Sequence, residues 1–437
     1  MEKTMLKKLF VLLAVLIAGN TDVRSAEKEV KVGFISAFTG VFSSFGQQQK
    51  EGAVLALEEA NYTAGGAKIS LIYEDDQLDN EQAVTKAKKL VVQDKIEILT
   101  GLVSGDEGLS VGDYMKDKNI PVIPMYSASE DMTMRAFYPM IVRATWTGAQ
   151  SMDVFGYWLS KVKGWKKIYA IGQDYSYPYN QGGGFKRGFF RGGGEEVKTV
   201  WHPVGTTSDF SSIIASIPTD QGYNAVLYNG AGGDAVNFVK QYVELGMGQK
   251  IPLIGQSNTF EKPDVESMPA DIVGALSAHH TADDLATLAW TKFKEAYHKR
   301  WSHDPSAASE FAYSSMRLIL RGIEMQKGDI SDKPALIKAM TQVDMSDDPR
   351  GPVALDPKYH SAIENVYIRE VAQDGNGQLY NKGLWTVKNV GQFGPYDPEL
   401  YLKQPSDSGS YPPDTRSAFP PETLKATTEY QYIPFGQ

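Results

Sequence analysis

Eight side chains able to hold a small molecule recur at one kind of place along this 437-residue chain: Phe45, Ser104, Ser127, Ser129, Trp146, Tyr177, Asn229 and Gln256 each follow a short apolar run. Hydroxyls, amides and aromatic rings capture a ligand by hydrogen bonding and stacking, without making or breaking its bonds. The loop that sets the pattern runs from Thr39 to Gly46. It offers Phe42 and Phe45 with Thr39, Ser43 and Ser44, and it contains no His, Cys, Asp or Glu. That inventory serves binding better than conversion.

Signatures of reaction chemistry are missing from the sequence. Gly101-Leu-Val-Ser-Gly105 has the wrong spacing for a nucleophile elbow, and no P-loop, H-E-x-x-H or strand-to-helix G-x-G-x-x-G occurs. His279 and His280 are adjacent, and neighbours on a strand point to opposite faces, so shared metal ligation is not expected. Glu74-Asp-Asp76 reads as a solvated strand end, because no further spaced acids complete a calcium loop. Gly182–Gly184 and Gly192–Gly194 read as the start and stop of one helix. No metal and no cofactor is expected. An enzyme using the same cleft would have to take Asp174 and Glu310 as acid and base, with no nucleophile–base pair to accompany them.

The elements that position these residues alternate. Val32–Ser36 reads as a buried strand, followed by a loop and a helix carrying Ala53, Val54, Leu57 and Ala60 on one face. Lys68–Tyr73, Ile96–Thr100, Pro121–Met125 and Met140–Thr145 continue as strands with helices between them. The same grammar restarts with strands at Lys167–Gly172, Val197–His202, Ala225–Tyr228 and Pro252–Ile254. Long helical patterns follow near 286–300 and 306–326, with a shorter one at 333–340; then come strands at Val353–Leu355, Asn365–Val371 and Gly383–Val387. This predicts an α/β fold of two doubly wound parallel-sheet lobes, with ligand loops at the carboxyl ends of the strands. From Gly394 the chain is rich in Pro, Tyr, Ser and Asp and should be extended and non-helical.

Length and composition agree with two lobes: the chain exceeds one ordinary domain, and 42% hydrophobic residues can build real cores. Net charge is −9 with no basic cluster, which argues against nucleic acid. Residues 1–25 read as an export signal: Lys3, Lys7 and Lys8 precede the apolar run Leu9–Ala18, and Val23 and Ser25 suit a cut after Ser25. Its removal would leave a charge of about −11. With no cysteine there is no disulfide, no thiolate site and no bacterial lipid anchor. A periplasmic location is expected.

Several of these stretches carry a resemblance. Gly33-Phe-Ile-Ser-Ala-Phe-Thr-Gly40 with Phe45-Gly46, Asp174-Tyr-Ser-Tyr177, Asp209-Phe-Ser-Ser212, Asn229–Gly233 leading to Asn237-Phe-Val-Lys240, and Gly351-Pro-Val353 with Val366-Tyr-Ile368 together resemble the solute-binding proteins of bacterial ABC importers, of the leucine/isoleucine/valine-binding (type I) kind. The resemblance covers nearly all of residues 28–390. It implies a hinge of three crossovers near 147, 275 and 350. The N-terminal lobe would then be 26–147 plus 276–350 and the C-terminal lobe 148–275 plus 351–393, with a Pro-rich tail over 394–437. It also implies a ligand carboxylate held at Ser104 and at Ser127, Ala128 and Ser129, where a helix start supplies unpaired N–H donors, with Phe45 and Tyr177 closing over it.

The departures from that family are informative. Gly148 stands where amino-acid-binding members place an acid, and Gly255-Gln-Ser-Asn258 stands where a second acid often follows. A buried ammonium without its partner costs roughly 3–5 kcal/mol. The expected cargo is therefore a small organic acid, aromatic and stacked near Trp146, whose loop resembles members that bind benzoate or cinnamate derivatives. The alternatives are a branched-chain or other amino acid or amide, or a ligand-loaded sensor for a membrane receptor. The expected partner is an ABC permease in the inner membrane, and the expected state is a monomer.

Overall fold

The structure, a computed structural model, describes residues 28–408, 412–414, 416 and 424–437. The export signal expected over 1–25 lies outside the described residues. The first sheet contains β1 (Glu29–Ser36), β2 (Thr63–Ala64), β3 (Ala67–Asp75), β4 (Ile98–Gly101) and β5 (Val122–Pro124), in the order β2-β3-β1-β4-β5. β1 runs parallel to β3 and β4, with Val32 opposite Leu71 on one side and Ile98 on the other. Covered on both faces, β1 needs a near-continuous apolar run, which Val32, Phe34 and Ile35 supply, each fully buried. Helices α1 (Ser43–Glu59), α2 (Asn80–Lys89) and α3 (Gly105–Met115) connect these strands.

The chain then crosses into α4 (Gly148–Lys161) and the second sheet. There β6 (Lys167–Gln173), α5 (Ser176–Arg191), β7 (Glu196–His202), α6 (Ser211–Ala215), β8 (Ala225–Asn229), α7 (Gly232–Glu244), β9 (Leu253–Gly255) and β10 (Leu276–His279) follow. It returns to lay α8 (Leu288–Trp301), α9 (Ala307–Met325) and α10 (Lys333–Met340) on the first lobe. It ends with β11 (Ala354–Leu355), β12 (Ala362–Gln373), β13 (Leu379–Val390), α11 (Pro398–Leu402) and β14 (Ile433–Pro434). The second sheet has the order β14-β13-β12-β10-β9-β8-β6-β7, its last three strands in sequence being antiparallel.

In each sheet the strand order reverses at one point. β1 is flanked by β3 and β4, and β6 by β7 and β8. The loops leaving β1 and β4, and those leaving β6 and β8, therefore diverge and leave a crevice at their carboxyl ends, where open α/β sheets bind ligands.

Several expectations shift. β10 pairs with β9 and β12, so the return crossing falls after His279 rather than near 275. The third crossing falls inside β12 rather than near 350: Val353, Leu355 and Ala362 pack in the first core, Val366 and Ile368 in the second. Met140–Thr145 is not a strand; only isolated bridges, Val122 to Ile141 and Arg143 to Ser361, mark it, because the segment is already turning toward the other lobe. Gly182–Gly184 lies inside α5 rather than at its start. The helices α4 and α5 pack there backbone to backbone: a Cβ at Gly184 would lie 2.4 Å from the Ala149 carbonyl oxygen, and one at Gly188 would lie 1.9 Å from that of Asp153. Glu74 and Asp76 are buried, not solvated. Glu74 is ion-paired with Lys86 (2.9 Å) and Lys89. The tail is not wholly extended, since Asp397 caps α11 and Pro398 opens it.

Two buried arginines knit the crossings. Arg350 donates to the Ala144 carbonyl (2.6 Å), to Glu364 (2.7 Å) and to both oxygens of Glu310 (3.0 Å). Arg369 reaches Ser277 Oγ (3.1 Å), the Thr281 carbonyl (3.2 Å) and the Ser257 carbonyl (2.7 Å).

Candidate functional site

A narrow cavity, with about 20 Å³ of free interior space, opens where the two strand-reversal points face each other. The first lobe contributes Phe42 and Phe45 from the β1–α1 segment, Val103 and Ser104 from the loop after β4, Tyr126 from the loop after β5 and Trp146 from the first crossing. The second lobe contributes Tyr175 and Tyr177 after β6, Ala231 after β8 and Asn258 after β9.

Six of these side chains form a closed circuit of rings. Phe42 meets Phe45 (5.7 Å between centroids), Phe45 stacks on Tyr126 (5.4 Å), and Tyr126 meets Trp146 (5.4 Å). Trp146 meets Tyr177 (5.6 Å), Tyr177 meets Tyr175 (6.2 Å), and Tyr175 returns to Phe42 (6.3 Å). No lining residue carries a carboxylate or a fixed positive charge.

Of the residues picked out in the sequence, Phe45, Ser104, Trp146 and Tyr177 line this cavity. The others sit beside it, most of their polar atoms engaged within the protein, although Asn229 Oδ1 is buried without a partner among the described residues. Ser127 Oγ faces Met132, and Ser129 Oγ lies 3.1 Å from Ser408 Oγ in the tail. Ala128 takes the Gly148 N–H on its carbonyl (2.8 Å). Asn229 donates to the Pro178 carbonyl (2.7 Å), and Gln256 accepts from Tyr177 Oη–H (2.8 Å). Phe42, Val103, Tyr126, Tyr175, Ala231 and Asn258 complete the wall, each one to three positions from a residue singled out in sequence.

The helix start at Ser104 is arranged differently from expectation. Ser104 Oγ accepts the Glu107 N–H (3.1 Å), while Glu107 Oε2 takes the N–H groups of Val103 (3.1 Å) and Ser104 (2.8 Å). Two of the backbone donors expected for a ligand are thus occupied in this reciprocal cap. The Ser104 hydroxyl hydrogen remains available to the cavity. Glu107 is fully buried, and burial, followed by the nearby charge of Asp76, pushes its carboxyl up to about 8.

The position where an ammonium partner would stand is closed. A Cβ on Gly148 would lie 2.7 Å from Asn180 Cβ, leaving no room for an acidic side chain. Glu310 is spent on Arg350 and Ser314, and Asp174 accepts from Tyr179 Oη–H; neither lines the cavity. Glu261, which follows β9, is paired with Arg369 Nη1 at 2.6 Å. Among the described residues no group of three or more His, Asp or Glu is placed to hold a metal ion.

A clasp of two α/β lobes around an apolar, ring-walled pocket defines a small-molecule binding protein. The sequence match agrees: a family described as periplasmic binding protein matches residues 29–376, and the chain belongs to it. A relative from Brucella melitensis, Leu/Ile/Val-binding protein homolog 6, is 28% identical over 84% of this chain and 93% of its own length. Two solved solute-binding proteins of ABC transporters from Rhodopseudomonas palustris each superpose with a TM-score of 0.78 at 27% identity. One, from strain BisB5, is in complex with 3,4-dihydroxybenzoic acid; it spans 83% of this chain and 98% of its own. The other is in complex with 4-hydroxybenzoate and spans 84% and 98%. No helix among the described residues is long and apolar enough to cross a membrane.

Proposed function

We propose that the chain is the exported solute-binding component of an ABC importer, carrying a small aromatic carboxylate in the interlobe cavity to a permease in the inner membrane. The observation that carries the reading is the closed ring circuit without a carboxylate. Offset and edge contacts with a flat ligand add about 0.5–1.5 kcal/mol per ring pair beyond buried area, whereas an α-ammonium would find no partner charge. Ser104 supplies a hydroxyl donor at the mouth of α3, where the helix dipole favours an anion. The ligands held by the two R. palustris proteins support the same class. A wall of rings and hydroxyls supports capture rather than turnover.

The test is a thermal-shift and calorimetric screen of the purified mature protein against benzoates, cinnamates, branched-chain amino acids and a trimethylammonium carboxylate. Benzoates or cinnamates should stabilise it. Stabilisation by amino acids alone would end the aromatic reading. The trimethylammonium compound is included because a ring cage also suits a methylated cation; a response to it alone would replace one cargo class by the other.

A further inference from the structure

One wall of the cavity is polarised by a chain of hydrogen bonds with only one consistent direction. The His280 backbone N–H donates to His279 Nδ1 (2.8 Å), so that ring nitrogen carries no proton. His279 is fully buried, and burial, with the charge of Arg369 behind it, holds the imidazole well below its usual pKa, so it is neutral. Its proton therefore sits on Nε2, which lies 3.0 Å from Asn258 Oδ1 and must donate to it. Tyr126 Oη–H donates to the same oxygen at 2.8 Å. With both approaches to Oδ1 filled, the Asn258 amide is locked with Nδ2 as its free end. Nδ2 has no protein partner among the described residues, and Asn258 lines the cavity.

The neighbouring tyrosine is oriented by the same logic. Gln256 Oε1 accepts the Asn258 backbone N–H (2.8 Å), and its Nε2 donates to the Gly230 carbonyl (2.9 Å). Tyr177 Oη–H must then donate to Oε1 (2.8 Å), leaving only lone pairs on Tyr177. Tyr126 has likewise spent its hydrogen. The wall thus presents one fixed N–H donor among phenol oxygens that can only accept.

Building on the aromatic-carboxylate reading, we propose that Asn258 is a specificity-determining residue that donates to a ring oxygen of the ligand. A hydroxyl substituent is the match, because it can accept from Asn258 Nδ2–H and pass its own hydrogen to a tyrosine oxygen. An amino substituent is the mismatch, because it is a poor acceptor facing a donor that cannot turn round.

The experiment measures affinity by calorimetry for benzoate, 4-hydroxybenzoate and 4-aminobenzoate with the wild-type protein and with Asn258→Leu made in a Tyr126→Phe background, where no tyrosine hydrogen freed by the loss of Asn258 Oδ1 can stand in for the amide donor. Wild type should prefer the hydroxy acid over benzoate by roughly tenfold, the worth of one good hydrogen bond, and should not prefer the amine. The double variant should bring the three ligands within about twofold of each other while still binding benzoate. Should the double variant not fold, side-chain amide resonances of selectively ¹⁵N-asparagine-labelled wild type decide the matter: the Asn258 pair should shift strongly with the hydroxy acid and weakly with benzoate. A hydroxyl preference that survives in the double variant, its absence from wild type, or equal shifts for both ligands would overturn the assignment. Failure of wild type to bind any arene carboxylate would instead overturn the functional reading beneath it.

Discussion

Around Ser104 a buried acid competes with the ligand for the same helix start. Protonated, Glu107 is a neutral neighbour to an incoming carboxylate; ionised, it repels one across a low-dielectric gap. Its folded pKa of about 8 lies above its ordinary 4.5. Its contribution to stability is therefore complete below pH 4.5 and is lost as pH rises through 8. Calorimetry across pH 6.5–9.5 should show carboxylate affinity falling several-fold at the alkaline end, and Glu107→Gln should flatten both that fall and the parallel loss of thermal stability. This acid is legible in sequence only as the closing residue of a capping box, three positions after Ser104. Its burial comes from packing, which no local pattern reports. The same blindness explains Asp76 and Glu74, which read as solvated acids and are buried. It also explains why the sequence picked out loops that border the cavity but not always the residue facing it. Tyr126 and Ser127 are neighbours with opposite outlooks, and only the tertiary fold decides which of them faces the cavity.

The elements were the more legible scale. Short apolar runs, several of them followed by Gly or Asn as at Gly101, Asn229 and Gly255, marked the parallel strands and hence the loops that border the cavity. What stayed hidden was helix-to-helix contact. Gly156, Gly184 and Gly188 let α4 and α5 approach backbone to backbone, a Cβ at Gly156 falling 2.1 Å from the Phe185 carbonyl oxygen. In sequence the glycine triplet looks like punctuation, since glycine weakens an isolated helix; in the structure the missing side chain is what the packing requires. Gly188→Ala should raise local helix propensity and yet lower global stability by about 1–3 kcal/mol through overpacking, read as a fall in the urea midpoint. A Gly→Ala change at exposed Gly248, where nothing crowds the new methyl, should leave the midpoint nearly unchanged.

For the whole molecule, the segment beyond the family match behaves as a strap over both lobes. Arg135, on the first-lobe side, donates to the carbonyls of Gln404 (3.0 Å) and Tyr401 (3.2 Å), and Glu130 accepts from Tyr401 Oη–H (3.1 Å). On the second-lobe side, Lys186 holds the Pro412 carbonyl (2.8 Å) and Asp414 (2.9 Å), and Arg187 pairs with Asp407. Separating the lobes must break one set of these bonds. Arg135→Ala weakens the strap's hold on the first lobe alone, leaving Tyr401 on Glu130 and Ser408 on Ser129, so ligand release in stopped flow should accelerate by roughly tenfold, since charge-assisted bonds of this kind are worth about 1.5–3 kcal/mol. Melting temperature should change little.

The six-ring circuit has an optical consequence. The boundary between the lobes cuts it at only two contacts, Phe42 with Tyr175 and Trp146 with Tyr177. Any parting of the lobes must uncouple the indole of Trp146 from a phenol while leaving its first-lobe neighbours Tyr126 and Phe311 in place. The molecule therefore carries a native chromophore pair at its own jaws, and near-ultraviolet circular dichroism should register each bite without a dye.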